Sequence, residues 1–251
     1  MFTGIVDCMK LDLSLHEFVN LGSNKQKEYV ARLLIKSSGA KPVEEDLPPV
    51  AFVMAGIPGA GKTEFLDSVV DELDEIRQVQ QFVRIDLDEI VTVFPGYTPK
   101  TNAKFRSQGT NVLARTIDVC RHGRYNMMID GTFSGQSGAS INNIQRLLET
   151  GYEVVLIFMF DKPETAWSYT VDREKLTDRG IGRDEFIQSC KNLSANLLKA
   201  RELFSGNKNF TMKVVKQKVL RDKNYEYVTD SQEIDNIIKQ GYDIAKVKEL
   251  I

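Results

Sequence analysis

A glycine-rich segment, AGIPGAGKTEF at residues 55–65, has the residue types and the spacing needed to bind a polyphosphate. Gly56, Gly61, Lys62 and Thr63 match the pattern G-x-x-x-x-G-K-[ST] in full. Glycines let backbone N–H groups face phosphate oxygens, the lysine reaches the outer phosphates, and the threonine hydroxyl ligates Mg²⁺. Because the segment stands between an apolar run and a helical stretch, we expect it to bind ATP with Mg²⁺ rather than to form a simple turn. The expected nucleotide-binding residues are Gly56, Ile57, Pro58, Gly59, Ala60, Gly61, Lys62, Thr63 and Glu64.

Acidic side chains end two of the apolar runs that follow this segment. In VRIDLDEI, Asp86 and Asp88 are expected at the carboxyl edge of a strand, where parallel sheets bind their ligands, and we expect both to contact a substrate. A hydroxyl that accepts a phosphoryl group needs a carboxylate to orient it and take its proton, and Asp88 suits this role. The alternative is that both aspartates cap the next helix. Asp130, which ends NMMID, is expected to hold a magnesium-bound water, with a strand-end turn as the alternative.

An arginine-rich segment, VDREKLTDRGIGRDEF at residues 171–186, follows the fourth apolar run by one helical stretch. It contains Arg173, Arg179 and Arg183. Since phosphoryl transfer builds negative charge on the γ-phosphate, a lid of arginines after this helix would stabilise that charge. The alternative is a solvated helix face on which the arginines pair with the acidic residues between them.

The elements that must position these side chains follow from the hydrophobic pattern. From residue 50 onward, short apolar runs alternate with longer helical stretches. Continuous apolar runs separated by helices indicate a parallel sheet covered on both faces. We therefore predict an α/β fold of the P-loop NTPase type, with a five-stranded parallel sheet and helices on both faces. The five predicted strands are VAFVMA, QFVRID, NMMID, EVVLIFMF and TMKVV.

The pattern before residue 44 is different. Residues 1–43 contain the amphipathic stretch NKQKEYVARLLIKSS, which a proline-containing acidic segment, GAKPVEEDLPP, follows. We predict an N-terminal helical extension and linker over residues 1–43. Residues 44–251 are predicted to form a P-loop kinase domain with C-terminal helices.

Two other classes of P-loop protein are disfavoured. A switch GTPase would have the base-reading motif N-K-x-D, but NKNF at residue 207 lacks the aspartate. A motor ATPase would have a strand that ends in paired acids, but NMMID ends in a single acid.

Composition bounds the partners and the compartment. The chain has 33 basic and 35 acidic residues and a net charge of −2, so a nucleic-acid partner is not favoured. Three distant cysteines and two histidines support neither a disulfide framework nor a zinc site. The longest apolar run, VVLIFMF, is far shorter than the roughly 20 residues of a membrane-spanning helix. We therefore expect a cytoplasmic protein without an export signal or a membrane partner.

Four motifs together resemble the zeta-toxin family, a group of P-loop kinases that includes UDP-N-acetylglucosamine 3′-kinases of toxin–antitoxin modules. The motifs are GIPGAGKT, RIDLDEI followed by FPGY, IDGT, and DRE followed by GIGRDEF, and the resemblance covers approximately residues 45–205. It implies that Asp88 is the catalytic base and that Lys62 binds phosphate. It also implies a substrate contact for Thr132 and lid roles for Arg173 and Arg183, although Arg179 competes with Arg183.

The chain departs from the family pattern at three positions. Asp130 replaces the glutamate of E-G-T, Ser134 stands where an arginine is usual, and SQGTNVLA contains no acid where the family has a substrate-binding glutamate. The last two departures concern the acceptor, so the resemblance supports the phosphoryl-transfer residues better than the acceptor.

From the residues and the resemblance together we expect an ATP-dependent kinase that phosphorylates a hydroxyl of a nucleotide-like small molecule. The resemblance makes UDP-N-acetylglucosamine the first choice of acceptor and implies an antitoxin protein as a partner. Two alternatives stay open. One is a polynucleotide 5′-hydroxyl kinase, and the other is a non-catalytic ATP-binding module in which nucleotide orders the arginine segment.

Overall fold

The computed structural model describes residues 22–75, 82–136, 138–177, 180–217, 225–240 and 242–251. Its contacts divide the chain into two units. The first comprises Met1–Pro49 and Gln80–Ile129, and the second comprises Val50–Val79 and Asp130–Ile251. Residues 1–21 of the predicted N-terminal extension lie outside the described residues. The predicted boundary after residue 43 stays a prediction.

Helices separate the first five strands along the chain, as the hydrophobic pattern predicts. The helices are α1 (Ser23–Ser38), α2 (Lys62–Glu75), α3 (Leu87–Ile90), α4 (Asn102–His122), α5 (Ala139–Glu149), α6 (Pro163–Thr177), α7 (Arg183–Phe204), α8 (Ser231–Gln240) and α9 (Ile244–Leu250). The strands are β1 (Val50–Ala55), β2 (Val83–Asp86), β3 (Met127–Asp130), β4 (Glu153–Phe160), β5 (Phe210–Gln217) and β6 (Tyr225–Val228). Short 3₁₀ turns, Val91–Val93 and Pro99–Thr101, precede α4.

Strands β1, β4, β5 and β6 are adjacent in that order in the second unit. β4 runs parallel to β1, with Val50 opposite Glu153, and parallel to β5, with Val154 opposite Phe210. The sequences of β1 and β4 are nearly continuously apolar because parallel strands are covered on both faces. The predicted parallel α/β fold is confirmed. The buried side chains of β1 and β4 include Val53, Met54, Val154, Leu156, Phe158 and Met159.

The number of strands was predicted wrongly, because the described residues contain six strands rather than five. The additional strand, β6, pairs antiparallel with β5. Its sequence is YEYV, and only Val228 is buried. A short, mostly exposed strand has no continuous apolar run, so the pattern that revealed the buried strands gives no signal here.

The first unit contains the predicted N-terminal helix, which is confirmed as α1. One apolar stripe of α1, formed by Val30, Ala31, Leu34 and Ile35, is buried, and α1 packs against α4. The helix ends at Gly39, whose positive φ of 65° is a common helix C-terminal conformation for glycine. Strands β2 and β3 are neighbours in the sheet.

Candidate functional site

The glycine-rich segment leads directly from the end of β1 at Ala55 into the start of α2 at Lys62. Gly59 and Gly61 have φ values of 83° and 77°, in the left-handed region that favours glycine. Gly59 is also tightly packed, since a Cβ atom there would lie 2.2 Å from the carbonyl oxygen of Ala166. The loop conformation therefore depends on this glycine. The first turn of α2 carries the positive end of the helix dipole, which favours an anion at this loop.

Lys62 lies over the loop that it follows. Its Nζ donates to the carbonyl oxygens of Gly56 at 3.1 Å and Ile57 at 2.9 Å, and the side chain is half-buried. The ammonium group is thus held against the backbone of the glycine-rich loop. This arrangement concentrates positive charge where a polyphosphate would bind.

Thr63 and Asp130 meet in the second unit, although they are 67 positions apart in the sequence. The Thr63 hydroxyl donates to Asp130 Oδ2 at 3.3 Å. Asp130 is buried, with only 6% of its surface exposed. A hydroxyl and a carboxylate are the hard oxygen donors that Mg²⁺ prefers, and Mg²⁺ commonly takes one or two protein ligands plus waters and phosphate oxygens. The two residues therefore fit the magnesium role expected for them.

The loop after β3 contacts the phosphate loop at a second point. The N–H of Gly56 donates to the carbonyl oxygen of Thr132 at 3.2 Å. The Thr132 hydroxyl lies 2.7 Å from that of Ser134. Ser189 of α7 in turn donates to Ser134 at 2.9 Å. Our reading of the sequence did not single out Ser189 as a site residue.

In the first unit, the two aspartates of VRIDLDEI have different positions. Asp86 is the N-cap of α3 and accepts the N–H of Asp88 at 2.8 Å, which fulfils the capping alternative for this residue. The Asp88 carboxylate is half-exposed and lies 3.5 Å from the guanidinium of Arg106 on α4. Gly109 is packed against the side chains of Leu87 and Val91, so α4 can approach α3 closely. Substrate contacts of Asp86 and Asp88 stay predictions.

The predicted lid arginines have separate environments. Arg173 is exposed on α6. Arg183 is the first residue of α7, and its guanidinium donates to the main-chain oxygens of Lys248 at 2.6 Å and Ile251 at 2.9 Å. A cation at the C-terminal end of α9 satisfies carbonyls that the helix itself leaves unpaired. Arg179 lies outside the described residues.

Two kinds of feature are absent from the described part of the chain. No helix in it is long and apolar enough to cross a membrane. It also contains no group of three or more histidine, cysteine and acidic side chains arranged to hold a metal ion. Thr63 and Asp130 are two donors only, which suits a magnesium ion that phosphate oxygens help to bind.

A parallel α/β sheet, a glycine-rich loop between β1 and α2, and a lysine lying over that loop define a P-loop nucleotide-binding fold. The profile of the Zeta toxin family matches residues 36–231, and the chain belongs to this family. The match extends beyond the motifs that first suggested the family.

Solved structures show the same fold. A chain from the PezAT chromosomal toxin–antitoxin system of Streptococcus pneumoniae is similar, with 23% identity, a TM-score of 0.63, and coverage of 95% of this chain and 93% of that chain. The AvrRxo1-ORF1:-ORF2 complex contains another similar chain, with 14% identity, a TM-score of 0.59, and coverage of 89% and 80%. The same complex with ATP matches at 14% identity and a TM-score of 0.59, over 86% of this chain and 70% of that chain. No curated protein sequence matches significantly.

Proposed function

We propose that the protein is an ATP-dependent kinase of the zeta-toxin type, which transfers the γ-phosphate of ATP to a hydroxyl of a nucleotide-like small molecule. The observation that carries the proposal is the pairing of Thr63 with the buried Asp130 beside the loop that Lys62 covers. Family membership supports a phosphotransferase. We take UDP-N-acetylglucosamine as the first acceptor to test because members of this family phosphorylate it.

Each residue has a distinct role in the proposed reaction. The backbone N–H groups at the end of the glycine-rich loop and the start of α2, together with the Lys62 ammonium, bind the phosphates and neutralise their charge. Thr63 and Asp130 would hold Mg²⁺, directly or through water, and the bound ion would stabilise negative charge on the phosphates. Asp88 orients the acceptor hydroxyl and takes its proton while the oxygen attacks the γ-phosphorus and ADP leaves.

Arg173 and Arg183 are proposed to stabilise charge on the transferred phosphoryl group. For Arg183 this role requires its guanidinium to exchange the oxygens of Lys248 and Ile251 for phosphate oxygens. Arg173 is exposed on α6 and is the second candidate for this role. Thr132, whose hydroxyl lies beside that of Ser134, is a proposed acceptor contact.

An antitoxin protein is a proposed partner. The similar chains come from a toxin–antitoxin system and from a two-component complex, and this chain shares their fold. We also propose a cytoplasmic location, because a kinase of this type requires cytoplasmic ATP.

An acceptor panel tests the proposed class and separates it from the two alternatives. The purified protein is incubated with Mg-ATP and, in separate reactions, UDP-N-acetylglucosamine, other nucleotide sugars, and RNA with a 5′-hydroxyl end, with Asp88→Asn as the control variant. Transfer to a nucleotide sugar supports the proposal. Transfer to RNA alone would replace it with a polynucleotide kinase, and ATP binding without transfer to any acceptor would favour a non-catalytic module.

A further inference from the structure

The loop after β3 has a backbone conformation that its own sequence does not favour. Phe133 has a φ of 58°, in the left-handed region that bulky side chains rarely adopt. Its side chain is buried, with 4% of its surface exposed. Such a conformation persists only where surrounding contacts impose it, and strained positions of this kind cluster at functional sites.

Helix α7 supplies the contacts that impose it. Asn196 Nδ2 donates to the carbonyl oxygens of Phe133 at 2.8 Å and Gly135 at 3.1 Å. One turn earlier, Asn192 Nδ2 donates to the carbonyl oxygen of Ser134 at 3.0 Å. Two side-chain amides thus bind three consecutive carbonyl groups of the loop.

Two further hydrogen bonds fix the orientation of these groups. Gln188 Nε2 donates to Asn192 Oδ1 at 2.7 Å, which directs the Asn192 amide nitrogen at the loop. Ser189, which is buried, donates its hydroxyl proton to Ser134 Oγ. We name Ser189, Asn192 and Asn196 the α7 clamp.

The clamped loop is continuous with the magnesium and phosphate residues. Thr132 is part of this loop, and its main-chain carbonyl oxygen accepts the N–H of Gly56. Two residues earlier, Asp130 accepts the Thr63 hydroxyl. A change in the path of residues 131–135 would therefore move the Asp130 carboxylate relative to Thr63.

We propose that the α7 clamp positions Asp130 for Mg²⁺, acting through the loop of residues 131–135. The clamp residues do not touch the Thr63 hydroxyl or the Asp130 carboxylate, so they are positioning residues rather than catalytic ones. Outer residues that orient a metal ligand commonly change metal affinity by about 10–100-fold when they are lost. This inference rests on the proposed ATP and Mg²⁺ site but does not depend on the identity of the acceptor.

The test measures magnesium coupling, defined as the ratio of the dissociation constants of a fluorescent ATP analogue in EDTA and in MgCl₂. Asn196→Leu removes two hydrogen bonds to the loop while it keeps the branched shape of the side chain, and Ser189→Ala removes one. The matched control is Asn142→Leu, because Asn142 is exposed on α5 in the same unit. Thermal unfolding checks that each variant is folded.

We expect Asn196→Leu to lower the magnesium coupling by about tenfold, with the dissociation constant in EDTA changed less than the constant in MgCl₂. Ser189→Ala should give a smaller loss in the same direction, and Asn142→Leu should give none. Full coupling in folded Asn196→Leu and Ser189→Ala variants would overturn the proposal. If Asn196→Leu fails to fold, Ser189→Ala alone decides. Failure of the unmutated protein to bind the analogue at all would instead overturn the proposed nucleotide site.

Discussion

The Thr63 hydroxyl lies 3.3 Å from the Asp130 carboxylate, and this contact joins the phosphate loop to the end of β3. Neither residue alone makes a convincing metal site. Together they offer two oxygen donors, one of them a buried carboxylate, beside a lysine and the start of a helix. The geometry therefore supports binding of a magnesium–triphosphate complex more strongly than binding of a bare anion.

Replacement of Thr63 tests this contact directly. Thr63→Ala removes the hydroxyl and should weaken binding of an ATP analogue in MgCl₂ by about tenfold or more, with little change in EDTA. Thr63→Ser keeps the hydroxyl and should keep most of the affinity. Titration by fluorescence in the two buffers checks the prediction, and equal weakening in both buffers would separate Thr63 from the metal.

Gly59→Ala should distort the phosphate loop and weaken nucleotide binding. The added Cβ atom would lie 2.2 Å from the carbonyl oxygen of Ala166, and φ is 83°. A side chain at this φ costs about 1–3 kcal/mol of backbone strain, and the overlap with Ala166 adds to that cost. We therefore expect roughly a tenfold or greater loss of nucleotide affinity. Gly206→Ala is the matched control because no atom lies within 4 Å of its added Cβ atom. Calorimetric titration with ATP measures the loss, and unchanged affinity in Gly59→Ala would contradict the loop geometry.

Measurements of both stability and turnover should distinguish the roles of the two proposed lid residues, Arg173 and Arg183. Arg183→Ala loses two hydrogen bonds to the end of α9 and should lower the free energy of unfolding by about 1 kcal/mol. Arg173 is exposed, so Arg173→Ala should leave the unfolding free energy nearly unchanged while it lowers kcat. Denaturant unfolding and steady-state kinetics provide the two measurements. If Arg183→Ala changes stability but not kcat, the lid role belongs to Arg173 without Arg183.

Arg106 should influence the reaction through Asp88. The pair is partly exposed and 3.5 Å apart, so its loss should change stability by less than about 1 kcal/mol. Arg106→Gln is nevertheless expected to lower kcat, because the guanidinium restricts the orientation of the proposed base. Arg106→Lys, which keeps the charge, should recover part of the rate. An unaltered kcat in Arg106→Gln would mean that the ion pair has no part in catalysis.

Two buried thiols should be inert in the folded protein. Burial raises the pKa of Cys120 and of Cys190 to about 12. The third cysteine, Cys8, lies outside the described residues and is replaced by serine for this test. In the Cys8→Ser variant, a thiol reagent at pH 8 should therefore react only after denaturation, because the thiolate is the reactive form. The folded state also binds these protons more tightly than the unfolded state, so stability should fall as pH rises from about 9 towards 12. Rapid labelling of the native variant would contradict this burial.

The hydrophobic pattern of the sequence was sufficient to predict the buried strands but not the exposed strand β6. β1 and β4 are continuous apolar runs because both of their faces are covered, whereas β6 has one buried residue. The motif predicted the phosphate loop because each of its residue types has a chemical role. Asp130 was predicted at the end of a strand and is found there, while its magnesium role stays a prediction.

Contacts between distant parts of the chain were not predictable in this way. Ser189 bonds to a residue 55 positions away and Asn196 to one 63 positions away. Polar residues at this spacing on a helix normally indicate a solvated face, and only the folded chain shows that they bind a strained loop. Similarly, the bonds of Arg183 to Lys248 and Ile251 have no local sequence signal.

The most direct measurement of the central claim is phosphate transfer to UDP-N-acetylglucosamine from Mg-ATP, followed by mass spectrometry of the nucleotide sugar. The unmutated protein is compared with Asp88→Asn, after both are shown to bind ATP. We expect one added phosphate on the sugar nucleotide with the unmutated protein and none with the variant. Absence of the product with the unmutated protein would contradict this acceptor. Equal product with Asp88→Asn would remove Asp88 from the mechanism.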